Sequence, residues 1–250
     1  MTTCFNAISL KVVLTASSHH TAEMMLFVIV IVSAIGYVTL ISRLLVEWEA
    51  VPEWDLPKNF QPATSVSVVI AARNEEAYIL PCVESILANK YPIELVEVIV
   101  VDDHSTDRTV ELIQSMTDAR ITLLDNVGSG KKAALTTGIR QSKNHLIVNT
   151  DADCRVGHSW LVNIVSFYEA SRCRFIASPV QYAIDRTNIK RFQYMDAMNS
   201  MAVTAAGIYN KRYHLANGAN MAYEKSLFEE IGGFSETNKF ASGDDVFLIQ

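Results

Sequence analysis

Several common signatures of function are missing from this 250-residue chain. Its four cysteines, Cys4, Cys82, Cys154 and Cys173, form no Cys-x-x-Cys pair, so the sequence indicates neither a zinc site nor a disulfide framework, and a reducing compartment fits best. A basic surface is also lacking, because the formal net charge is −6, which argues against non-specific nucleic-acid binding. The Gly-x-Gly-x-x-Gly dinucleotide motif, the P-loop and the Asp-x-Asp-x-Thr pattern of one class of phosphatases do not occur either.

Apolar residues are abundant and make up 50% of the chain. The stretch 24–42 carries no charge and reaches the length of about 20 residues that a helix needs to cross a bilayer. We predict a transmembrane helix over 24–46, preceded by an N-terminal extension over 1–23 and followed by a proline-containing linker over 47–63. A cleaved signal peptide and a buried core helix are the alternatives, but a signal peptide has a shorter apolar region with small residues after it.

From residue 64 to residue 250 the sequence alternates between strand and helix patterns. The repeated β-α-β order predicts an α/β domain with a mostly parallel, doubly wound sheet. We expect Ser105 or Thr106 to cap the helix after the second strand. Ligands of such sheets bind beyond the carboxyl ends of the strands. The predicted strands occupy 66–72, 95–101, 120–125, 145–150 and 174–180.

Polar residues follow three of these strands at the point where each strand ends. The first strand is followed by residues 73–76 (RNEE), the second by residues 102–107 (DDHSTD) and the fourth by Asp151 and Asp153. Each group alone has an ordinary structural explanation as a helix start, a cap or a turn. Their common position at one rim of the sheet favours a binding site. Because two carboxylates at one strand end repel each other, we expect a hard divalent cation, Mg²⁺ or Mn²⁺, in front of Asp151 and Asp153.

Five motifs follow one another in the second part of the chain: "VSVVIAARNEEAYILPCVESILANKYPIELVEVIVVDDHSTDRT", "GKKAALTTGI", "IVNTDADC", "LANGANMAYEKSLFEEIGGF" and "ASGDDVFL". Together, in this order, they resemble glycosyltransferase family 2. The resemblance runs from about residue 65 to the last residue and implies a GT-A fold, in which a Rossmann-like nucleotide half and an acceptor half form one domain. Ala71 stands where the family usually has proline, and Asp244 stands where glutamate is usual. The family's QxxRW motif and the C-terminal membrane helices of many relatives do not follow, so we expect the chain to be an incomplete enzyme.

The resemblance also implies a role for individual residues. Asp151 and Asp153 are expected to hold the cation on the diphosphate of a nucleotide sugar, with a UDP-sugar favoured. Asp245, next to Asp244, is expected to take the proton from the acceptor hydroxyl as that oxygen attacks the anomeric carbon. One displacement of this kind inverts the anomeric configuration. The residues expected to bind the nucleotide sugar are Ala71, Asn74, Glu75, Asp102, Asp103, Lys131 and Asp151.

The implied function is that of an inverting glycosyltransferase of the hexosyltransferase type. Its acceptor is expected to be a glycan or lipid-linked hydroxyl in cell-envelope polysaccharide synthesis. We expect the chain to cross the inner membrane once, with the catalytic domain in the cytoplasm, where nucleotide sugars are made. A polyprenyl-phosphate sugar transferase and a non-catalytic nucleotide-binding module are the alternatives. Met195, Met198 and Met201, in a helix predicted over 189–209, are expected to fill core, with a lipid-facing surface as the alternative.

Overall fold

The fold divides into two compact units, residues 1–51 and residues 52–250. It is known from a computed structural model of the chain. The residues that the structure describes are 3–181, 187–212 and 217–234, with the backbone alone for 3–22.

The first unit contains one helix, α1 (Thr3–Glu49), which is longer at both ends than the transmembrane segment predicted over 24–46. Residues 3–23 contain neither proline nor glycine, so nothing in the sequence interrupts the helix there. It ends three residues before Pro52, the first proline of the chain, where a helix would lose a hydrogen bond. Within α1, residues 23–49 are long and apolar enough to cross a membrane, and their most apolar part is not buried.

The second unit is built on a six-stranded sheet with the order β3-β2-β1-β4-β6-β5. The strands β1 to β4 pair in parallel, whereas β6 is antiparallel to both of its neighbours, β4 and β5. The expected mostly parallel sheet is confirmed, but the sequence did not predict β6, whose polar end residues weaken its strand pattern. The strands are β1 (Val66–Ala72), β2 (Val96–Asp102), β3 (Ile121–Asp125), β4 (Leu146–Thr150), β5 (Phe175–Ala177) and β6 (Asn220–Glu224).

Helices pack on both faces of the sheet. Alternate residues of a strand point to opposite faces, so Val68 of β1 enters the core beneath one set of helices and Val69 enters the other. The first core takes side chains from α2 (Ile79–Leu87), α3 (Thr109–Gln114) and α5 (Trp160–Ser171). The second takes side chains from α4 (Lys131–Gln141) and α7 (Lys225–Glu230). A short 3-10 turn (Ile93–Leu95) precedes β2, and α6 (Asn188–Tyr209) lies between β5 and β6 in the sequence. Met195 of α6 is exposed, so the expectation that it fills core is wrong.

A close approach fixes α4 against the sheet. A Cβ atom at Gly138 would lie 2.5 Å from Val69 Cγ1 and 3.0 Å from Val101 Cγ2, so a larger residue would push the helix away. Because α4 follows β3, its N-terminus lies at the carboxyl edge of the sheet. The packing at Gly138 therefore holds the first residues of α4, with Lys131, at that edge.

The strand order reverses between β1 and β4. The chain passes from β1 to β2 on one side and reaches β4, on the other side of β1, only after β3. The β1–β4 pairs end at Val69↔Asn149, whereas the β1–β2 pairs continue to Ala72↔Asp102. Among the described strands, residues 70–72 of β1 are thus paired on the β2 side alone. Such a switch point is where open α/β sheets bind their ligands.

Candidate functional site

The loops that follow β1 and β2 are joined by hydrogen bonds. The Asn74 N–H donates to Ser105 Oγ at 2.9 Å, and the Thr106 N–H donates to Asn74 Oδ1 at 2.8 Å. The Glu75 N–H donates to Thr109 Oγ1 at 2.8 Å. Asn74 has a φ of 56°, a left-handed conformation that asparagine tolerates better than most residues. These contacts hold the two loops as one rim beside the switch point.

The same contacts correct the predicted cap of α3. The helix begins at Thr109, whose N–H donates to Asp107 Oδ1 at 3.0 Å. The side chains of Ser105 and Thr106 bond to Asn74, in the loop after β1, instead. Their polar groups join the loop after β2 to the loop after β1, about thirty residues earlier in the chain. A local helix-start pattern does not reveal such a contact.

Asp103, the residue after β2, is surrounded by donors. Its side chain accepts the Gly130 N–H at 2.9 Å and Asn126 Nδ2 at 2.6 Å, and Arg73 Nη1 lies 3.5 Å away. Burial raises the pKa of Asp103, but the hydrogen bonds from Asn126, Gly130 and His104, with the charge of Arg73, together outweigh burial, so the pKa lies below its ordinary value. Gly130 has a φ of 90°, which favours glycine. Asp103 therefore fastens the start of α4 to the end of β2.

Two further residues predicted to bind the nucleotide lie beside this contact. The backbone of Ala71 is part of β1 and pairs with Val101, while its side chain packs against the core that α4 covers. The carboxylate of Asp102 is buried and accepts the Ser105 N–H at 3.1 Å. The structure thus brings both residues to the predicted edge of the sheet, next to the loops after β1 and β2.

Acidic side chains from different loops converge at the end of β4. Burial raises the pKa of Glu75, and the nearby charges of Asp153, Asp107 and Asp151 raise it further. Glu75 follows β1, whereas Asp151 and Asp153 follow β4, so the switch point gathers three predicted site residues in one neighbourhood. Lys131 Nζ, at the start of α4, lies 2.7 Å from Asp151 Oδ1. The site therefore combines a surplus of carboxylate with one close ammonium group.

The donor set at this point fits a hard divalent cation bound together with a ligand. Among the residues that the structure describes, no group of three or more histidine, cysteine, aspartate or glutamate side chains could hold a metal ion. A complete protein cage is not required, because Mg²⁺ is commonly held by one or two carboxylates, with water and substrate phosphate as its other ligands. Asp151 and Asp153 supply such carboxylates, and after burial their negative charges contribute to the raised pKa of Glu75.

The thiols near these carboxylates do not favour a softer metal. Burial, together with Cys154 and the carboxylates Asp153 and Asp151, raises the pKa of Cys82 to about 12. Burial and the same two carboxylates also raise the pKa of Cys154. Both groups are therefore protonated near neutral pH, and the thiolate is the form that binds metals.

The acceptor-side motif also reaches this edge, through β6. Asn220 pairs with Thr150, the last residue of β4. Its side chain accepts Trp160 Nε1–H at 2.9 Å and donates to the Pro179 carbonyl at 2.7 Å. This pairing joins the acceptor-side motif, at Asn220, to β4, the strand that Asp151 follows. Asp244 and Asp245, the predicted catalytic pair, lie outside the described residues.

Sequence reasoning missed two polar residues of this region. Asn126 supports Asp103, and its position directly after β3 was the signal that could have revealed it. Asn149 is buried within β4, where its Oδ1 accepts the Tyr223 hydroxyl at 2.9 Å. Its Nδ2 has no hydrogen-bond partner in the described structure, which is unusual for a buried amide. No pattern in the sequence distinguishes Asn149 from an ordinary strand residue.

Comparisons with known proteins agree with the geometry. The family model described as "Glycosyl transferase family 2" matches residues 67–232. The glycosyltransferase AglE of Haloferax volcanii is 28% identical over 184 residues, which cover 72% of this chain and 59% of that protein. An undecaprenyl-phosphate 4-deoxy-4-formamido-L-arabinose transferase of Pseudomonas aeruginosa is 34% identical over 97 residues, 37% of this chain and 29% of that protein.

A solved structure has the same fold. The mannosyltransferase PcManGT from Pyrobaculum calidifontis, in complex with GDP-Man and Mn²⁺, superposes with a TM-score of 0.60 at 22% identity. The match covers 80% of this chain and 56% of that chain. The chain thus spans about half the length of the proteins that it matches along most of its own length. Because the family model covers more than half of the chain and the fold agrees, the chain belongs to glycosyl transferase family 2.

Proposed function

We propose that this protein is an inverting glycosyltransferase that moves a sugar from a nucleoside-diphosphate sugar to a hydroxyl group of a glycan or lipid-linked acceptor. The observation that carries the proposal is the convergence of Glu75, Lys131, Asp151 and Asp153 at the switch point of a sheet from this family. A neighbour of the same fold is a mannosyltransferase in complex with GDP-Man and Mn²⁺, which supports this class of donor and cation.

The residues at the switch point would bind and orient the donor. Asp151 and Asp153 would hold Mg²⁺ or Mn²⁺, and Lys131 would add positive charge beside the diphosphate. A bound divalent cation offsets the negative charge that develops on the leaving nucleoside diphosphate. The rim formed by Asn74 and the loop after β2 would line the part of the donor site that takes the nucleoside.

The transfer itself would be a single displacement. The acceptor oxygen forms a bond to the anomeric carbon while the bond from that carbon to the diphosphate oxygen breaks. The acceptor hydroxyl loses its proton to Asp245, and the nucleoside diphosphate leaves. We place this reaction at the cytoplasmic face of the inner membrane, in cell-envelope polysaccharide synthesis, with α1 as the anchor.

A phosphate acceptor is the second candidate. The relative from Pseudomonas aeruginosa is named as an undecaprenyl-phosphate transferase, and it aligns with 37% of this chain. A phosphate oxygen is already ionised, so transfer to it would not require a base. Loss of transfer in Asp245→Asn would favour the hydroxyl acceptor, and unchanged transfer would favour the phosphate.

A thermal-shift panel of nucleotide sugars tests the donor site. The intact chain, in detergent, would be heated with UDP- and GDP-sugars in the presence of Mg²⁺, Mn²⁺ or a chelator. A ligand at a hundredfold excess over its Kd contributes about 2.7 kcal/mol. That corresponds to a rise of roughly 5–10 °C in Tm for a unit of this size. We expect the rise for one nucleotide class, and we expect the chelator to reduce it.

Matched variants test which carboxylates are responsible for the metal-dependent rise in Tm. Asp151→Asn and Asp153→Asn should abolish most of the metal-dependent rise. Asp125→Asn should keep it, because Asp125 is an exposed carboxylate at the carboxyl end of β3, away from the switch point. A metal-independent rise of equal size in all three variants would contradict the assigned site. Binding of a nucleotide sugar without its transfer to any acceptor would favour a non-catalytic nucleotide-binding module.

A further inference from the structure

The two carboxylates that we assign to the cation lie on one short turn of the backbone. The Cys154 N–H donates to the Asp151 carbonyl at 3.1 Å, which closes a turn over residues 151–154. Ala152, between the two carboxylates, is buried and belongs to the core that α2 covers. Asp151 is only partly buried and Asp153 is exposed. The turn thus has one side in the core and presents its two carboxylates on the other.

The helix α2 contacts this turn through two side chains. Cys82 is buried, and its thiol donates to the Asp151 carbonyl with an Sγ–O distance of 3.5 Å. The Val156 N–H donates to Ser85 Oγ at 3.0 Å. Because residues three positions apart lie on the same face of a helix, Cys82 and Ser85 form one contact surface for the chain that follows β4.

The contact continues beyond the end of α2. The Lys90 N–H donates to the His158 carbonyl at 2.8 Å, and the Leu161 N–H donates to Asn89 Oδ1 at 3.0 Å. The segment between β4 and α5 is therefore bonded to α2 and to the residues directly after it at four places. None of these bonds uses a carboxylate of Asp151, so the acidic side chain stays available on the site.

Ser85 uses its hydroxyl in two directions. It donates to the Cys82 carbonyl, three residues earlier in α2, at 2.7 Å, and it accepts the Val156 N–H. Ser142, at the end of α4, makes the first kind of bond, to the Ile139 carbonyl three residues earlier. The bond from Val156 is thus the feature by which Ser85 joins α2 to the segment that follows β4.

A fixed turn matters for a cation that has only two protein carboxylates. Like charges repel, so in the absence of a cation Asp151 and Asp153 favour any movement that separates them. A divalent cation needs both carboxylates close to one point, and groups that hold its ligands in place raise the affinity of a metal site. Bonds that fix the backbone between the carboxylates and α5 oppose their separation.

We propose that Ser85, assisted by Cys82, is a positioning residue that holds the turn over 151–154 so that Asp151 and Asp153 bind one divalent cation. This inference rests on the proposed function, which assigns the cation to these carboxylates. Neither Ser85 nor Cys82 would touch the cation or the donor. Each acts through the backbone of the segment that follows β4.

Binding of Mn²⁺ alone to the intact chain in detergent tests this role, with the electron paramagnetic resonance signal of free Mn²⁺ as the readout. Ser85→Ala removes the acceptor of the Val156 N–H, and we expect the Kd for Mn²⁺ to rise about tenfold. Ser85→Thr keeps the hydroxyl and should restore most of the affinity. Cys82→Ala should raise the Kd by a smaller factor, because a thiol is a weak donor. Ser142→Ala loses a matched bond to a carbonyl and should leave the Kd unchanged.

Amide hydrogen exchange supplies an independent measurement of the same segment. Residues 152–158 should exchange faster in Ser85→Ala than in Ser142→Ala. An unchanged Kd in Ser85→Ala, or an equal rise in Ser142→Ala, would overturn the positioning role even if the carboxylates bind Mn²⁺. The proposed function fails in a different way: a native Kd in both Asp151→Asn and Asp153→Asn would remove the cation from these carboxylates.

Discussion

Replacement of Asp103 by alanine should loosen the edge of the sheet at which the donor is expected to bind. In the native chain the buried carboxylate accepts hydrogen bonds from the Gly130 N–H and from Asn126 Nδ2. Alanine offers no acceptor, and a methyl group cannot fill the space of a carboxylate. The loop from Asn126 to Gly130 would then keep the backbone bond from the Asn126 N–H to the Asp102 carbonyl but lose its bonds to the Asp103 side chain, so Lys131 would be held less firmly beside Asp151.

The size of the loss in stability follows from the two hydrogen-bond donors that would lose their acceptor. A buried donor left without a partner costs about 1–3 kcal/mol. Two such donors give about 2–5 kcal/mol, because water and local relaxation recover part of the loss. For a unit of about 200 residues, this loss lowers Tm by roughly 5–15 °C. Asp102→Ala, at the adjacent buried carboxylate, should lower Tm by less than half as much, because Asp102 accepts from a single backbone group.

Thermal unfolding of the intact chain in detergent, with a double-mutant cycle, tests this reasoning. Asp103→Ala and Asn126→Ala should be non-additive, with a coupling of about 1–3 kcal/mol, because the two side chains are bonded at 2.6 Å. Since the folded pKa of Asp103 is lowered, its contribution is present above the ordinary carboxyl pKa and is lost as the pH falls through the folded value. The difference between wild type and variant should therefore shrink in acid. Additive effects, or an unchanged Tm in Asp103→Ala, would refute the role.

Three other outcomes are expected. The Arg120 side chain and N–H hold the pKa of Asp118 at about 2, so Asp118→Asn should cost about 1–2 kcal/mol near neutral pH and nothing in strong acid, as thermal shift at the two pH values would detect. Equal losses at both pH values would contradict this. Asp245→Asn, in a chain shown to transfer sugar, should lower single-turnover transfer by about 10²–10⁴-fold and leave donor binding unchanged. The intact chain should remain with membranes after carbonate extraction, and its recovery in the soluble fraction would argue against a spanning α1.

The strongly patterned strands could be predicted from the sequence to within about one residue, while the short or polar elements could not. The strand predicted over 66–72 has the bounds of β1, and the strand predicted over 95–101 is shifted by one residue from β2. The strand β6 was missed because its three central residues are apolar and its end residues, Asn220 and Glu224, are polar. Three consecutive apolar residues show no alternation of apolar and polar positions. The helix α1 was predicted too short, because hydropathy reports where a helix can cross a membrane and not where its hydrogen bonds end.

The edge that carries the site could also be predicted, because parallel strands bring their carboxyl ends together. The role of each polar residue at that edge could not be predicted, because the role depends on hydrogen-bond partners that are far away in the sequence. Asn74 bonds to residues 31 and 32 positions away, and Asp103 to residues 23 and 27 positions away. A motif therefore locates a residue at the edge without distinguishing a ligand contact from an internal bond.

That distinction bears on how the motif "DDHSTD" works. A carboxylate whose oxygens already accept protein N–H groups has less acceptor capacity left for a ligand, and each bond that a ligand displaces costs free energy. Asp103 is such a carboxylate, because its oxygens accept the Gly130 N–H and Asn126 Nδ2. Asp151 differs, because the bond to Lys131 occupies one oxygen with a long and partly exposed side chain that can turn toward an incoming phosphate. We therefore expect Asp103→Ala to weaken donor binding through the position of α4, with a loss of stability, whereas Asp151→Asn should weaken it with little change in Tm. Equal stability losses in the two variants would contradict this division between support and binding.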